Sequence, residues 1–243
     1  MEETEILRAA ASHALLGSLD LSTLQAVVRA AKLVQYRGKR PVIREGEPSS
    51  QVFCLLAGSV RVFHRREEAE ILVKLFRAPA IFGETEVLAG IPFMLNATTL
   101  ERCDILHLPA PSFRELVRTQ PKFAQLLALD LSRSLCVASA HQRALVFNDI
   151  EMRLANLLLD YADLAGRPVE GGVRLELALS QDAMAKDLGV SRKAVTLTLL
   201  RFKDEGLIDK VDARYVVRDS TALAARSAAT PGLVHQLMPA AKV

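Results

Sequence analysis

The stretch L-S-Q-D-A-M-A-K-D-L-G-V-S-R-K-A-V-T-L-T-L-L-R-F-K-D-E-G-L-I-D, from Leu179 to Asp209, decides the fold. Ser180 is placed to cap a first helix whose apolar residues are Ala183, Met184 and Leu188. Gly189 then lets the chain leave that helix in a left-handed turn. Ser191 caps a second helix, with Val195, Leu199 and Phe202 at i, i+4 and i+7 on its inward face. Arg192, Lys193 and Thr196 fall near the start of this helix on another face.

Two short helices joined by a glycine turn, with cations and a hydroxyl at the front of the second, meet the demands of a helix-turn-helix. An arginine there can make a two-bond contact to guanine, a lysine can reach a base edge or phosphate, and a threonine methyl can pack on thymine. The run Y-V-V-R, Tyr215 to Arg218, supplies a wing strand. A surface helix with a basic end is the bland alternative, but capped pair, turn and wing together argue against it.

Working back toward the N-terminus, I-E-M-R-L-A-N-L-L-L-D-Y-A-D-L reads as an amphipathic helix. The segment G-R-P-V-E-G-G after it reads as a turn, and V-R-L-E-L-A-L as a short strand. Pro121 can open a long helix, since its missing N–H is not needed in the first turn. Along it Ala124, Leu127, Leu131, Leu135, Ala138 and Leu145 recur at steps of three, four or seven. That spacing predicts a parallel homodimer seam, with packing on the chain's own core as the alternative. Asn148 and Asp149 break the pattern and are the candidate hinge.

From about Leu33 to Leu108 the chain is a succession of short β-branched and aromatic runs broken by glycine, proline and charge, which predicts an antiparallel roll. Gly38, Gly46, Gly58 and Gly83 fall at its sharp turns. Within it F-G-E-T-E-V-L-A-G-I-P-F-M-L-N-A-T-T-L-E, Phe82 to Glu101, has the outline of a loop around a small polar ligand, yet it contains no cation.

The chain's 243 residues suit two domains. With 50% hydrophobic and 24% charged residues it is expected to be globular. A net charge of +3 neither shows nor excludes nucleic-acid binding, because a local patch can vanish in the total. The acidic start M-E-E-T-E is unlike a secretory signal and no run is long and apolar enough to span a bilayer, so a cytoplasmic protein is expected. Cys54, Cys103 and Cys136 are far apart, without a C-x-x-C pair, and are expected to be core thiols. His13, His64, His107, His141 and His235 form no obvious ligand pair, so neither metal nor cofactor is expected. No activated nucleophile or catalytic carboxylate pair points to an enzyme.

The order of roll, long helix, hinge and winged helix-turn-helix, with E-G-E-P, F-G-E and L-G-V-S-R-K-A-V in sequence, resembles the Crp/Fnr transcription regulators over nearly all of Leu15 to Arg218. The resemblance implies an α+β fold: an N-terminal antiparallel β-roll, a long dimerisation helix and a C-terminal winged helix-turn-helix. The corresponding division is a sensor over 1–120, dimerisation helix and hinge over 121–149, DNA-binding domain over 150–218, and a mobile tail over 219–243, a short helix packed on the DNA domain being the alternative for the tail. It further implies a homodimer on two-fold symmetric promoter DNA, with half-sites about one helical turn apart, and contact with RNA polymerase.

Carried over residue by residue, the resemblance departs at two places. Gly83 and Glu84 match the cyclic-nucleotide-binding members, where the carboxylate accepts from the ribose hydroxyl. The Arg-Ser or Arg-Thr pair that neutralises the cyclic phosphate is replaced by Leu95 and Asn96, forfeiting a charge-assisted contact worth roughly 1.5–3 kcal/mol. On the long helix Ala138-Ser139 stands for Thr-Ser, leaving Ser139 to meet a purine. The effector set is therefore Gly83, Glu84, Leu95, Asn96 and Ser139, and cyclic AMP in the usual mode is not expected; another ligand, a cyclic mono- or dinucleotide included, or none, stays open. In the recognition helix Arg192 fits a guanine reader, whereas Lys193 replaces a glutamate and Leu197 a second arginine. That implies a half-site other than T-G-T-G-A, with more A·T character. Ser180, Gln181, Ser191 and Arg214 complete the expected DNA-contacting set. A sensor acting only through protein contacts is the alternative of another class.

Overall fold

The computed structural model describes residues 3–66, 69–146, 150–177 and 179–227. In chain order the elements are α1 (Glu3–Ala11), α2 (Leu21–Ala30), β1 (Lys32–Tyr36), β2 (Pro41–Ile43), β3 (Gln51–Ala57), β4 (Ser59–Arg66), β5 (Ala69–Arg77), β6 (Ala80–Phe82), α3 (Glu84–Ala89), β7 (Asn96–Thr99), β8 (Cys103–Pro109), α4 (Ala110–Thr119) and α5 (Pro121–Val146). They continue as α6 (Ile150–Ala165), β9 (Gly166–Val169), β10 (Gly172–Leu175), α7 (Gln181–Leu188), α8 (Arg192–Asp204), β11 (Ile208–Val211), β12 (Arg214–Val217) and α9 (Ser220–Arg226). Two compact units result: Met1–Arg65 with Val73–Ser132, and Arg66–Leu72 with Arg133–Val243.

The first unit is built on two four-stranded sheets, ordered β1-β8-β3-β6 and β2-β7-β4-β5. Strand alternation explains how they form a roll. On β3 Val52 and Cys54 enter one apolar cluster, with α1, α2, α4 and the start of α5, while Phe53 and Leu55 enter another, between the sheets. On β8 Leu106 and Leu108 join the first cluster, and Cys103 and Ile105 the second. Both faces of the central strands are thus buried, which is why they read as continuous apolar runs. The inner cluster is aromatic: Phe53 stacks on Phe82 with ring centroids 5.1 Å apart, and lies 6.0 Å from Phe93.

In the second unit β11-β12-β10-β9 form one sheet behind a helical layer. Helix α6 buries Leu154, Leu157, Leu158, Tyr161 and Leu164, the three-and-four spacing of an apolar face. Ser180 Oγ accepts from the Ala183 N–H at 3.0 Å and Ser191 Oγ from the Ala194 N–H at 3.2 Å, so both expected caps form. Gly189, at φ +61°, ends α7 as expected, and Val195, Thr198, Leu199 and Phe202 are the buried face of α8.

Several local readings change. The segment Gly166–Val169, read as turn, is the edge strand β9; Pro168 is tolerated there because an edge strand need not donate from every residue. The Phe82–Glu101 loop contains α3, opened by Gly83 at φ +80°. Helix α4 already begins at Ala110. Helix α9 occupies 220–226, capped by Asp219 and burying Leu223, which is the alternative read for that segment; 228–243 and the candidate hinge at Asn148 and Asp149 lie outside the described residues. Cys54 and Cys103 are buried, but Cys136, on the part of α5 that belongs to the second unit, is exposed, because apolar spacing along a helix does not say which face is covered.

Candidate DNA interface and effector site

The front of α8 is held by the two capped turns and faces away from its buried side. Arg192, Lys193 and Leu197 are exposed, Leu197 to 58%. Leu200, one turn on, is 52% exposed, an apolar residue on that outer face that motif reading passed over. The Thr196 hydroxyl lies 2.8 Å from Gln181 Oε1 and 2.9 Å from the Arg192 carbonyl, so Thr196 and Gln181 are brought together across the turn. Arg192 Nη1 stands 3.5 Å from Asp182 Oδ2, a partner the motif did not reveal. Arg214, expected as a phosphate contact, sits 3.9 Å from Glu176 Oε2, and its Nη1 is buried without a hydrogen-bond partner among the described residues. Arg174 donates to the same carboxylate at 2.7 and 3.0 Å and holds it below the usual carboxylate range. The wing cation is therefore engaged in an ion-pair cluster, which single-residue reading could not foresee.

Behind the recognition helix, Glu151 of α6 pairs with Arg201 of α8 and Arg226 of α9, and Arg226 also reaches Glu205 at 2.8 Å. Tyr161 donates to the buried Asp187 at 3.1 Å. These contacts fix α6, α7, α8 and α9 as a group, and none of them lies in a recognisable motif.

In the first unit Gly83 must be glycine: beyond its positive φ, a Cβ would stand 3.1 Å from Phe53 and 3.2 Å from Phe93. It turns the chain so that Glu84 enters the interior at 9% exposure. Glu84 Oε2 is buried without a hydrogen-bond partner among the described residues, while Thr85 Oγ1 lies 3.4 Å from Oε1. Burial pushes the Glu84 carboxyl up to about 7, with Lys74 opposing the rise. Leu95 packs against the aromatic cluster, and Asn96 Oδ1 accepts from the Glu45 N–H at 3.2 Å. Gly83, Glu84, Leu95 and Asn96 thus belong to one unit; Ser139 is exposed on α5 in the other.

His107 is placed 3.1 Å from the Tyr36 hydroxyl and edge-on to Phe53. Burial, aided by Lys32, pushes it down to about 4, so it is a neutral, hydrogen-bonded, half-buried strand residue at neutral pH. Among the described residues no three His, Cys, Asp or Glu side chains are grouped to hold a metal, and no helix is long and apolar enough to cross a membrane.

The expected α5 seam divides. Leu127 is 2% exposed in the core of the first unit and Leu131 packs partly against it, so both serve the roll. Leu135, 68% exposed, and Ala138 remain outward. The physical reason is that the first turns of α5 are part of the first unit and complete its apolar core, whereas Leu135 and Ala138 belong to the second.

A sensor roll followed by a winged helix-turn-helix defines a DNA-binding transcription regulator. Comparison with known proteins agrees: the cyclic nucleotide-binding domain matches residues 33–120, and the Crp-like helix-turn-helix domain residues 152–226. The CRP-like cAMP-activated global transcriptional regulator of Mycobacterium tuberculosis is 26% identical over 207 residues, covering 85% of this chain and 92% of its own. The global nitrogen regulator of a Synechocystis strain is 26% identical over 181 residues, covering 73% and 80%. Among solved structures, a CooA variant from Carboxydothermus hydrogenoformans superposes with a TM-score of 0.68 at 26% identity, covering 84% and 90%. The chain belongs to the Crp/Fnr family of transcription regulators.

Proposed function

We propose that the protein is a homodimeric, sequence-specific regulator that reads two-fold symmetric promoter DNA and does not use cyclic AMP in the usual way. The observation that carries the DNA reading is the front of α8, where Arg192, Lys193 and Leu197 are exposed while the opposite face is fully packed. Arg192 reads guanine, Leu197 packs on a thymine methyl, and Lys193 reaches a base edge or phosphate. Ser180, Gln181 and Ser191 position the duplex through its backbone, and Arg214 joins them from the wing by exchanging its ion pair with Glu176 for a phosphate. The working division is a sensor over 1–120, dimerisation helix and hinge over 121–149, and a DNA-binding domain over 150–218. Dimerisation uses the outward Leu135 and Ala138 of α5. The protein is a regulator rather than an enzyme, works in the cytoplasm with the DNA, and contacts RNA polymerase.

The effector reading rests on composition: Glu84 to Glu101 contains neither lysine nor arginine, so nothing in this segment neutralises a cyclic phosphate. The mycobacterial relative is named as cAMP-activated, which weighs on the other side. A second reading, a pocket that takes a different hydroxyl-bearing ligand, is favoured by Glu84 Oε2, which is buried without a partner among the described residues. Sensing through protein contacts alone has no such observation behind it.

Selection of bound duplexes from random DNA tests the reading. The expected result is a palindrome with a guanine in each half-site and thymines beside it. Arg192→Ala should cost about 1–3 kcal/mol and relax selection at that guanine alone. Recovery of the T-G-T-G-A palindrome would show that Lys193 and Leu197 do not alter the reading, and a uniform loss on all DNA would place Arg192 on the backbone.

A further inference from the structure

Two side chains at the start of α7 reach across to α8. Gln181 meets Thr196, and Asp182 meets Arg192. Gln181 and Thr196 are a neutral pair, but Asp182 puts a carboxylate on the surface that faces a polyanion. Both members of its ion pair are well exposed, at 62% for Asp182 and 66% for Arg192. In such a setting a pair contributes little to stability. The carboxylate also opposes phosphate binding twice: it repels the phosphate directly, and in the first turn of α7 it interacts itself with the helix dipole that would attract an anion.

What the pair does provide is geometry and charge balance. A guanidinium is a planar fork with five donors, and a contact through Nη1 leaves enough of the fork for a two-bond contact to guanine O6 and N7. A long side chain held from one side loses less rotamer freedom when it meets its base. Its charge, half-answered by Asp182, is less strongly drawn to any nearby phosphate.

We propose that Asp182 is a positioning residue for Arg192, holding the guanidinium for base reading and lowering its sequence-independent attraction to DNA. The role rests on the assignment of Arg192 as a guanine reader. In this arrangement α7 sets discrimination without itself touching a base.

The test is binding of the full-length chain, by fluorescence anisotropy, to three duplexes: the one selected from random DNA, the same duplex with the contacted guanine replaced, and an unrelated sequence. Asp182→Asn should bind the unrelated duplex about threefold tighter or more, while discrimination between the first two duplexes falls by about the same factor. Asp182→Glu should restore discrimination. In an Arg192→Ala background, Asp182→Asn should no longer change discrimination. If Asp182→Asn alters binding to all three duplexes equally, Asp182 is only a surface charge and the proposal is overturned. If Arg192→Ala itself leaves discrimination intact, the guanine assignment fails first, and the role of Asp182 fails with it.

Discussion

Glu84 is held in the first turn of α3 with one carboxylate oxygen unpartnered among the described residues, and burial pushes its carboxyl from the ordinary 4.5 up to about 7. A folded-state value above the unfolded one means that the native protein keeps this proton through the interval between them. The contribution of Glu84 is therefore most favourable below pH 4.5, declines as pH rises toward 7, and is flat above it, a span of about 3 kcal/mol. Glu84→Gln should remove that decline and leave the variant more stable than the parent at pH 8, as measured by urea unfolding at pH 5 and pH 8. An unchanged decline in the variant would show that Glu84 is solvated. At this scale the sequence was partly legible. Gly83 and Glu84 could be picked out because a glycine turn before a carboxylate is a local signal. The partners of Arg192 and Arg214, namely Asp182 and Glu176, were not, because ion pairing between side chains far apart in sequence leaves no periodic trace.

Among the elements, the wing and the long helix carry the clearest consequences. The β11–β12 hairpin turns through Asp212 at φ +48° and Ala213 at φ +63°, with Val211 paired to Arg214. Alanine is poorly suited to that left-handed position, so Ala213→Gly should stabilise the DNA-binding unit by about 0.5–1 kcal/mol, read as a rise in unfolding midpoint. A loss of stability instead would mean that the turn is not of this type in solution. On α5, Leu135 is exposed where a second copy is proposed to cover it. Leu135→Lys should remove about 4 kcal/mol across two chains, weakening the dimer about a thousandfold in sedimentation equilibrium without unfolding the monomer. An unchanged association constant would move the seam elsewhere. Helices with caps and apolar spacing, such as α7, α8 and α6, were legible in the sequence. Strand β9 was not, since Gly166 and Pro168 are turn-formers and only an edge position accommodates them. Nor did spacing alone reveal that Leu127 and Leu131 serve the roll, because a core face and a dimer face share one period.

For the whole molecule, the roll and the winged helix-turn-helix are each defined by their own core, and together they make a Crp/Fnr regulator. That architecture was legible because its elements come in a fixed order with a motif at each end. The identity of the signal was not, because it depends on which charges reach a pocket rather than on which strands build it. The central claim is that this chain binds DNA specifically and has departed from cyclic AMP. The direct measurement is affinity of the purified full-length protein for a duplex selected from random DNA, with and without cyclic AMP, between about 50 and 200 mM salt. The expected result is tight, sequence-dependent binding that weakens steeply with salt and is unchanged by the nucleotide. Binding that is absent or indifferent to sequence, or that cyclic AMP strengthens tenfold or more, would contradict it.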